Sequence, residues 1–213
     1  MDRKILIIGN GPDVITKKRG KFIDKYFDDV LICNQSLFKL ESHKEYLGTP
    51  TIWGTCGWTK VFEDTVLTYS EKHSMLFDPS KELKDSIYDC LINSSIKHIW
   101  VNQDSQLMST AEFDFEIPKH IPTQGISNGY NIEKYGKDHH SLGLQSIIHS
   151  FDLYEKVYYM GIDSYTKGHH WYQEKEPDNT MFLVHGGTDY FMERMIMRDL
   201  IKENKVIHID EVF

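Results

Sequence analysis

His185 stands immediately before Gly186-Gly187-Thr188-Asp189, where a polar stretch meets the apolar spacing of a helix. An imidazole at such a junction can reach into a cleft as a general base with a pKa near neutrality; equally, it can be a histidine hydrogen-bonded at a helix start. The chain has eleven histidines, including the adjacent pairs His139-His140 and His169-His170. Adjacent histidines converge awkwardly on one ion, and neither HExxH nor a carboxylate-histidine spacing occurs, so no metal centre is expected. A second set of residues has the types that contact nucleotides. Gly9-Asn10-Gly11-Pro12-Asp13 looks like the start of a dinucleotide fingerprint, but Val14 occupies the place of its third glycine. Asn34 stands where that fingerprint has an acidic residue, so NAD binding is not expected. No GK[ST] triplet exists, which excludes a P-loop. What remains is a turn whose backbone amides, with the Asn10 amide, can approach a phosphate or ribose.

These residues need elements to position them. Lys4-Ile5-Leu6-Ile7-Ile8 is a continuous apolar run ending at Gly9, as expected of a parallel strand buried on both faces. Val30-Leu31-Ile32-Cys33, Thr51-Ile52-Trp53 and the runs 96–101, 157–160 and 206–209 read as further strands. Helical spacing predicts helices over 62–69, 83–92, 142–151 and 189–203. Residues 104–136 read as a long loop, interrupted by Pro118, Pro122, Gly125, Gly129 and Gly136. Residues 164–187 are polar, aromatic and His-rich, and a loop of that length in a compact domain is expected to act as a lid. Alternating strands and helices predict one Rossmann-like, open, mainly parallel α/β sheet flanked by helices, a single domain over 1–213. In such a sheet ligands gather at the carboxyl ends of the strands, where Asn10, Gly11, Asn34, Gly161, Ile162 and Asp163 all fall.

Composition narrows the partners. With 213 residues, 40% hydrophobic and 26% charged, the chain is long enough for one well-buried core. Lys plus Arg is 24 against 32 Asp plus Glu, a net charge of -8, which argues against a dedicated nucleic-acid protein. No apolar run approaches the roughly 20 residues that cross a bilayer, and no secretory leader is read at the start. Three cysteines without a CxxC spacing fit a reducing cytoplasm.

Taken in order, the pieces resemble the bacterial sialyltransferase family that uses CMP-sialic acid, typified by Campylobacter lipooligosaccharide sialyltransferases, and more distantly the animal sialyltransferases. Gly9-Asn10-Gly11-Pro12 resembles the family's nucleotide-binding GNGPS, with Asp13 in place of its serine. Cys33-Asn34-Gln35 matches its CNQ, and Ser141 with the following helix and the strand ending Gly161-Ile162-Asp163 is similar to its serine, helix and SGID strand. Tyr165 matches the first family tyrosine. Trp171 falls where the second is expected, with Tyr172 beside it, and His185 followed by Thr188-Asp189 resembles the catalytic histidine and its Thr-Asp.

The resemblance implies a metal-independent inverting glycosyltransferase with the sialyltransferase variant of the GT-A architecture. His185 is then the base, and Tyr165 with Tyr172 or Trp171 steadies the departing phosphate. Asn10, Gly11, Asn34, Ser141, Gly161, Ile162 and Asp163 line the nucleotide pocket. It implies no cofactor or metal. The partners are a CMP-sialic acid donor, or another nucleotide-sugar, and a glycan or glycolipid acceptor, with a homo-oligomer left open. The location implied is the cytoplasm, peripheral at a membrane through the acceptor. Three features depart from the family: Trp171 lacks a hydroxyl, no arginine precedes Ser141, and no asparagine follows the third strand near Trp53. The alternatives carried forward are a non-catalytic nucleotide- or glycan-binding domain and a His-rich metal hydrolase.

Overall fold

The computed structural model describes residues 3–55, 81–102, 117–126, 141–162 and 190–213. The strands are β1 (Lys4–Ile8), β2 (Asp29–Cys33), β3 (Ile52–Thr55), β4 (His98–Asn102), β5 (Thr123–Ile126), β6 (Lys156–Met160) and β7 (Val206–His208). They form one sheet in the order β5-β4-β3-β2-β1-β6-β7, and every pairing is parallel. The helices are α1 (Gly20–Tyr26), α2 (Lys44–Leu47), α3 (Lys81–Asn93), α4 (Leu142–Ser150) and α5 (Tyr190–Lys202).

The period-2 geometry of a strand explains the unbroken apolar runs. In β1, Leu6 and Ile8 point to one face, where they join Ile23 of α1, Phe27 just after it, Leu47 of α2 and Ile87 and Leu91 of α3. Ile5 and Ile7 point to the other, among Leu144, Ile147 and Ile148 of α4 and Ile196, Met197 and Leu200 of α5. A strand covered on both sides needs apolar residues at every position. The sequence read in this way yields the α/β class and six of the seven strands among the described residues, in the right places.

The seventh strand corrects the reading of 104–136 as loop throughout. Thr123–Ile126 pairs with β4 from Ile99↔Thr123 to Asn102↔Ile126. Only Ile126 of its four residues is buried. As the edge strand among the described residues it bonds on one side and contributes little side chain to the core, so it carries no apolar signature. The helix expected over 62–69 and the lid expected over 164–187 lie outside the described residues.

The chain order reverses between β1 and β6. From β1 the strands run outward through β2, β3, β4 and β5; beyond β6 they run the other way to β7. Such a reversal parts the connecting loops and opens a crevice at the carboxyl ends of the two strands.

The C-terminal residues close back on this region. Arg19, with a side chain 3% exposed, donates from Nη2 to Asp210 Oδ1 at 2.6 Å, and Lys17 Nζ approaches the same oxygen at 3.1 Å. Phe213 packs edge-on against Phe22 and lies under the Arg19 guanidinium. The hydrogen bond from Arg19, with help from Lys17, holds the Asp210 carboxyl below its ordinary value of 3.8. A depressed carboxyl stabilises the fold above its unfolded pKa and loses that contribution as pH falls through the folded one. Asp210→Asn is therefore expected to lower the melting temperature at pH 7, and the gap to wild type to shrink as pH falls below 3.8. Thermal melts of both proteins from pH 7 to pH 3 check this; a gap independent of pH would refute it.

Candidate functional site

Three glycines bring the β1 and β6 ends into contact. Gly9 N–H donates to the Met160 carbonyl at 2.9 Å, and Gly11 N–H donates to the Gly161 carbonyl at 2.7 Å. A Cβ on Gly9 would lie 2.3 Å from the Gly161 oxygen, and one on Gly11 2.9 Å from it. Gly161 itself has φ +68, a left-handed conformation that costs a side-chain-bearing residue roughly 1–2 kcal/mol. A Cβ there would also meet Val14 Cγ2 at 2.4 Å. Val14, fully buried, thus occupies the space above Gly161. The close approach for which a dinucleotide fingerprint uses its third glycine is supplied here from β6.

This geometry alters the expected role of the turn. The N–H groups of Gly9 and Gly11 are taken by the carbonyls of Met160, the last residue of β6, and of Gly161 after it, and cannot also cradle a phosphate. Asn10 is half-buried, and its Oδ1 accepts from Ser36 Oγ at 2.8 Å. Ser36 belongs to the 3-10 turn Asn34–Lys39 that follows β2, so this bond ties the β1 and β2 loops together.

Asn34 starts that turn with φ 49, a conformation that asparagine tolerates better than most residues. Its carbonyl accepts from the indole of Trp53, on β3, at 2.9 Å. Trp53 is fully buried, and a buried indole N–H needs an acceptor. The indole therefore fixes the backbone on which the Asn34 side chain is mounted.

Ser141 caps α4. Its hydroxyl oxygen accepts from Leu144 N–H at 3.4 Å, while its own N–H donates to the Glu193 carboxylate of α5. A hydroxyl that accepts still has a proton to donate, so capping leaves Ser141 one bond for a ligand. Glu193 is 1% exposed. A carboxylate is favoured at this place by the partial positive charge of a helix N-terminus. Ile162 packs on α4 as well: a Cβ on Gly143 would lie 3.2 Å from Ile162 Cδ1, and one on Gly9 2.7 Å from Ile162 Cγ1. It wedges the β6 end between the β1 loop and α4.

The structure therefore brings together Asn10, Gly11, Asn34, Ser141, Gly161 and Ile162, all at the carboxyl ends of β1, β2 and β6 or at the start of α4. Gly11, Gly161 and Ile162 serve there as packing and backbone contacts. Asp163, Tyr165, Trp171, Tyr172 and His185 lie outside the described residues, as do the paired histidines. The two described ends that flank residues 163–189 both reach this region, Ile162 against Gly143 and Glu193 against Ser141. Asp13, in place of the family's serine, sits beside Gly11, with Oδ2 3.8 Å from His208 Nε2 of β7. Among the described residues no three His, Cys, Asp or Glu side chains are grouped to hold a metal ion. Among the same residues no helix is long and apolar enough to cross a membrane.

Sequence reasoning missed Ser36, Trp53 and Glu193. Glu193 does leave a trace: it takes the first place of the buried spacing continued by Ile196, Met197 and Leu200, where an apolar residue is expected. Ser36 leaves none, because a serine two places after Asn34 is unremarkable until the β1 loop lies beside it.

No family model matches the chain, and no curated protein matches it by sequence. Solved structures do match by shape. A mammalian sialyltransferase in complex with Gal-beta-1-3GalNAc-ortho-nitrophenol aligns with a TM-score of 0.60 at 14% identity, covering 97% of this chain and 69% of that one. The sialyltransferase CstII from Campylobacter jejuni, in complex with the substrate analogue CMP-3FNeuAc, aligns at 0.50 and 13% identity, covering 98% of this chain and 81% of that one. The same enzyme with cytidine-5'-monophosphate aligns at 0.50 and 16%, covering 97% and 79%. At these identities the likeness is one of fold.

Gly161→Ala is expected to destabilise the protein through both its φ and its clash with Val14. Val14→Ala relieves the clash alone. In a double-mutant cycle followed by denaturant unfolding, the two substitutions together should cost less than the sum of the singles. Additive losses would mean that Val14 and Gly161 do not press on each other.

Proposed function

We propose that this chain is a metal-independent inverting glycosyltransferase of sialyltransferase type, moving sialic acid from CMP-sialic acid to a hydroxyl of a glycan or glycolipid. The observation that carries the reading is the β1–β6 reversal. There the residues that resemble the family's nucleotide motifs, separated in sequence from Asn10 to Ile162, converge in a fold that sialyltransferases match over 97% of the chain. Asn10 and Asn34 offer amides at that rim, and Ser141 offers a hydroxyl at the start of α4.

In this reading His185 takes the proton of the acceptor hydroxyl as its oxygen attacks the anomeric carbon. The bond from that carbon to the phosphate oxygen breaks, and its electron pair leaves with CMP. Tyr165, with Tyr172 or the Trp171 indole N–H, donates to the departing phosphate, meeting the developing charge with fixed dipoles instead of a cation. The anchoring of Ile162 and Glu193 beside α4 supports this assignment, because in the sequence the stretch from Asp163 to His185 lies between them.

A general base contributes about 10²–10⁴-fold. His185→Ala is thus expected to retain CMP binding, read by thermal shift, and to lose transfer by that factor. Equal transfer rates in the two proteins would remove His185 from the mechanism. Transfer is also expected to persist in EDTA, and its loss there would favour a metal enzyme. A panel of CMP, UDP and GDP read by thermal shift identifies the donor class, since a bound ligand raises apparent stability by mass action. Stabilisation by CMP above the other two is the expected outcome.

A further inference from the structure

We infer that Ser36 is a positioning residue for the donor nucleotide: its buried hydroxyl holds the Asn10 carboxamide so that the NH2 end, not the oxygen, is presented to an acceptor oxygen of the nucleotide. The inference rests on the transferase reading above and adds to it the residue that sets the polarity of the β1 loop.

A primary amide has two ends of opposite character and nearly the same shape, an oxygen that accepts and a nitrogen that donates. Which end faces a ligand is decided by what holds the other. Here Asn10 Oδ1 accepts from Ser36 Oγ at 2.8 Å, and Ser36 is 0% exposed. A buried hydroxyl without a partner is costly, so the bond is maintained from the Ser36 side as well as the Asn10 side. Among the described residues Ser36 is the group that holds the Asn10 side chain, which leaves Nδ2 as its outward donor. The flanking Gly9 and Gly11 N–H groups do not supply this donor, because they are bonded to the Met160 and Gly161 carbonyls. Ser36 is itself rigidly placed: the turn that carries it begins at Asn34, whose carbonyl is pinned by the Trp53 indole at 2.9 Å. The chain of contacts runs from the core at β3, through the β2 loop, to one amide at the crevice.

Asn10→Asp separates the two ends chemically. The carboxylate still accepts from Ser36 and fills the same volume, but it presents an anion where the amide presented N–H. CMP binding measured by calorimetry is expected to weaken about 10- to 100-fold in Asn10→Asp with little change in melting temperature, a charge-assisted or neutral hydrogen bond having become a repulsion. Cytidine is titrated in parallel: a loss confined to CMP places the acceptor oxygen on the phosphate, and a loss for both places it on the nucleoside. Ser36→Ala is expected to weaken CMP binding about fivefold in the wild-type background, a loss of the size of one net hydrogen bond. It should have no further effect in an Asn10→Ala background, because Ser36 acts through Asn10 alone. A merely structural serine would weaken binding by the same factor in both backgrounds. Unchanged or tighter CMP binding by Asn10→Asp, or equal effects of Ser36→Ala in the two backgrounds, would overturn the inference while leaving the transferase reading intact. Failure of the wild-type protein to bind CMP would overturn both.

Discussion

The rim of the sheet depends on one backbone contact, the hydrogen bond from Gly11 N–H to the Gly161 carbonyl, with its neighbour from Gly9 to Met160. It extends parallel pairing past the ends of β1 and β6, at the place where the strand order reverses. Only glycine permits it, because a Cβ on Gly9 or Gly11 would strike the Gly161 oxygen and one on Gly161 would strike Val14. The consequence is chemical as well as geometric. With those two N–H groups bonded within the protein, neither is left to cradle a phosphate, and the side chains held around the turn supply further polar groups at this rim.

Those side chains are supported from both faces of the sheet. On one face the Trp53 indole, buried in β3, fixes the left-handed Asn34 and through its turn the Ser36 hydroxyl that grips Asn10. On the other face α4 begins at Ser141, where the serine cap and the Glu193 carboxylate satisfy N–H groups that a helix start otherwise leaves unbonded. Ile162 joins the two sides, wedged between the Gly9 position and Gly143. A ligand at this rim would therefore meet donors and acceptors whose orientations were set before it arrived, which lowers the ordering cost of binding.

The C-terminal residues add a third restraint close to the β1 loop. Asp210 joins Lys17 and the buried Arg19 at the start of α1, and His208, whose ring packs against Tyr159 of β6, faces Asp13. Burial, with Glu211 and Asp13 nearby, raises the Tyr159 phenol above its usual range, so it stays neutral and acts in this contact as a packed ring.

What the sequence determined by itself was whatever follows from local pattern. Runs such as Ile5 to Ile8 must be buried on both faces, alternation of such runs with helical spacing requires a parallel α/β sheet, and Gly and Asn mark the carboxyl ends of its strands. The motifs that resemble the sialyltransferases carried the same information in order. Tertiary structure decided what depends on partners distant in sequence. It placed β5, whose edge position needs no apolar run. It made the glycines a backbone junction, and it joined Ser36 to Asn10 and Glu193 to Ser141. Hydrogen-bond satisfaction of a buried polar group is a property of the folded neighbourhood, and no spacing along one chain encodes which neighbour will be there.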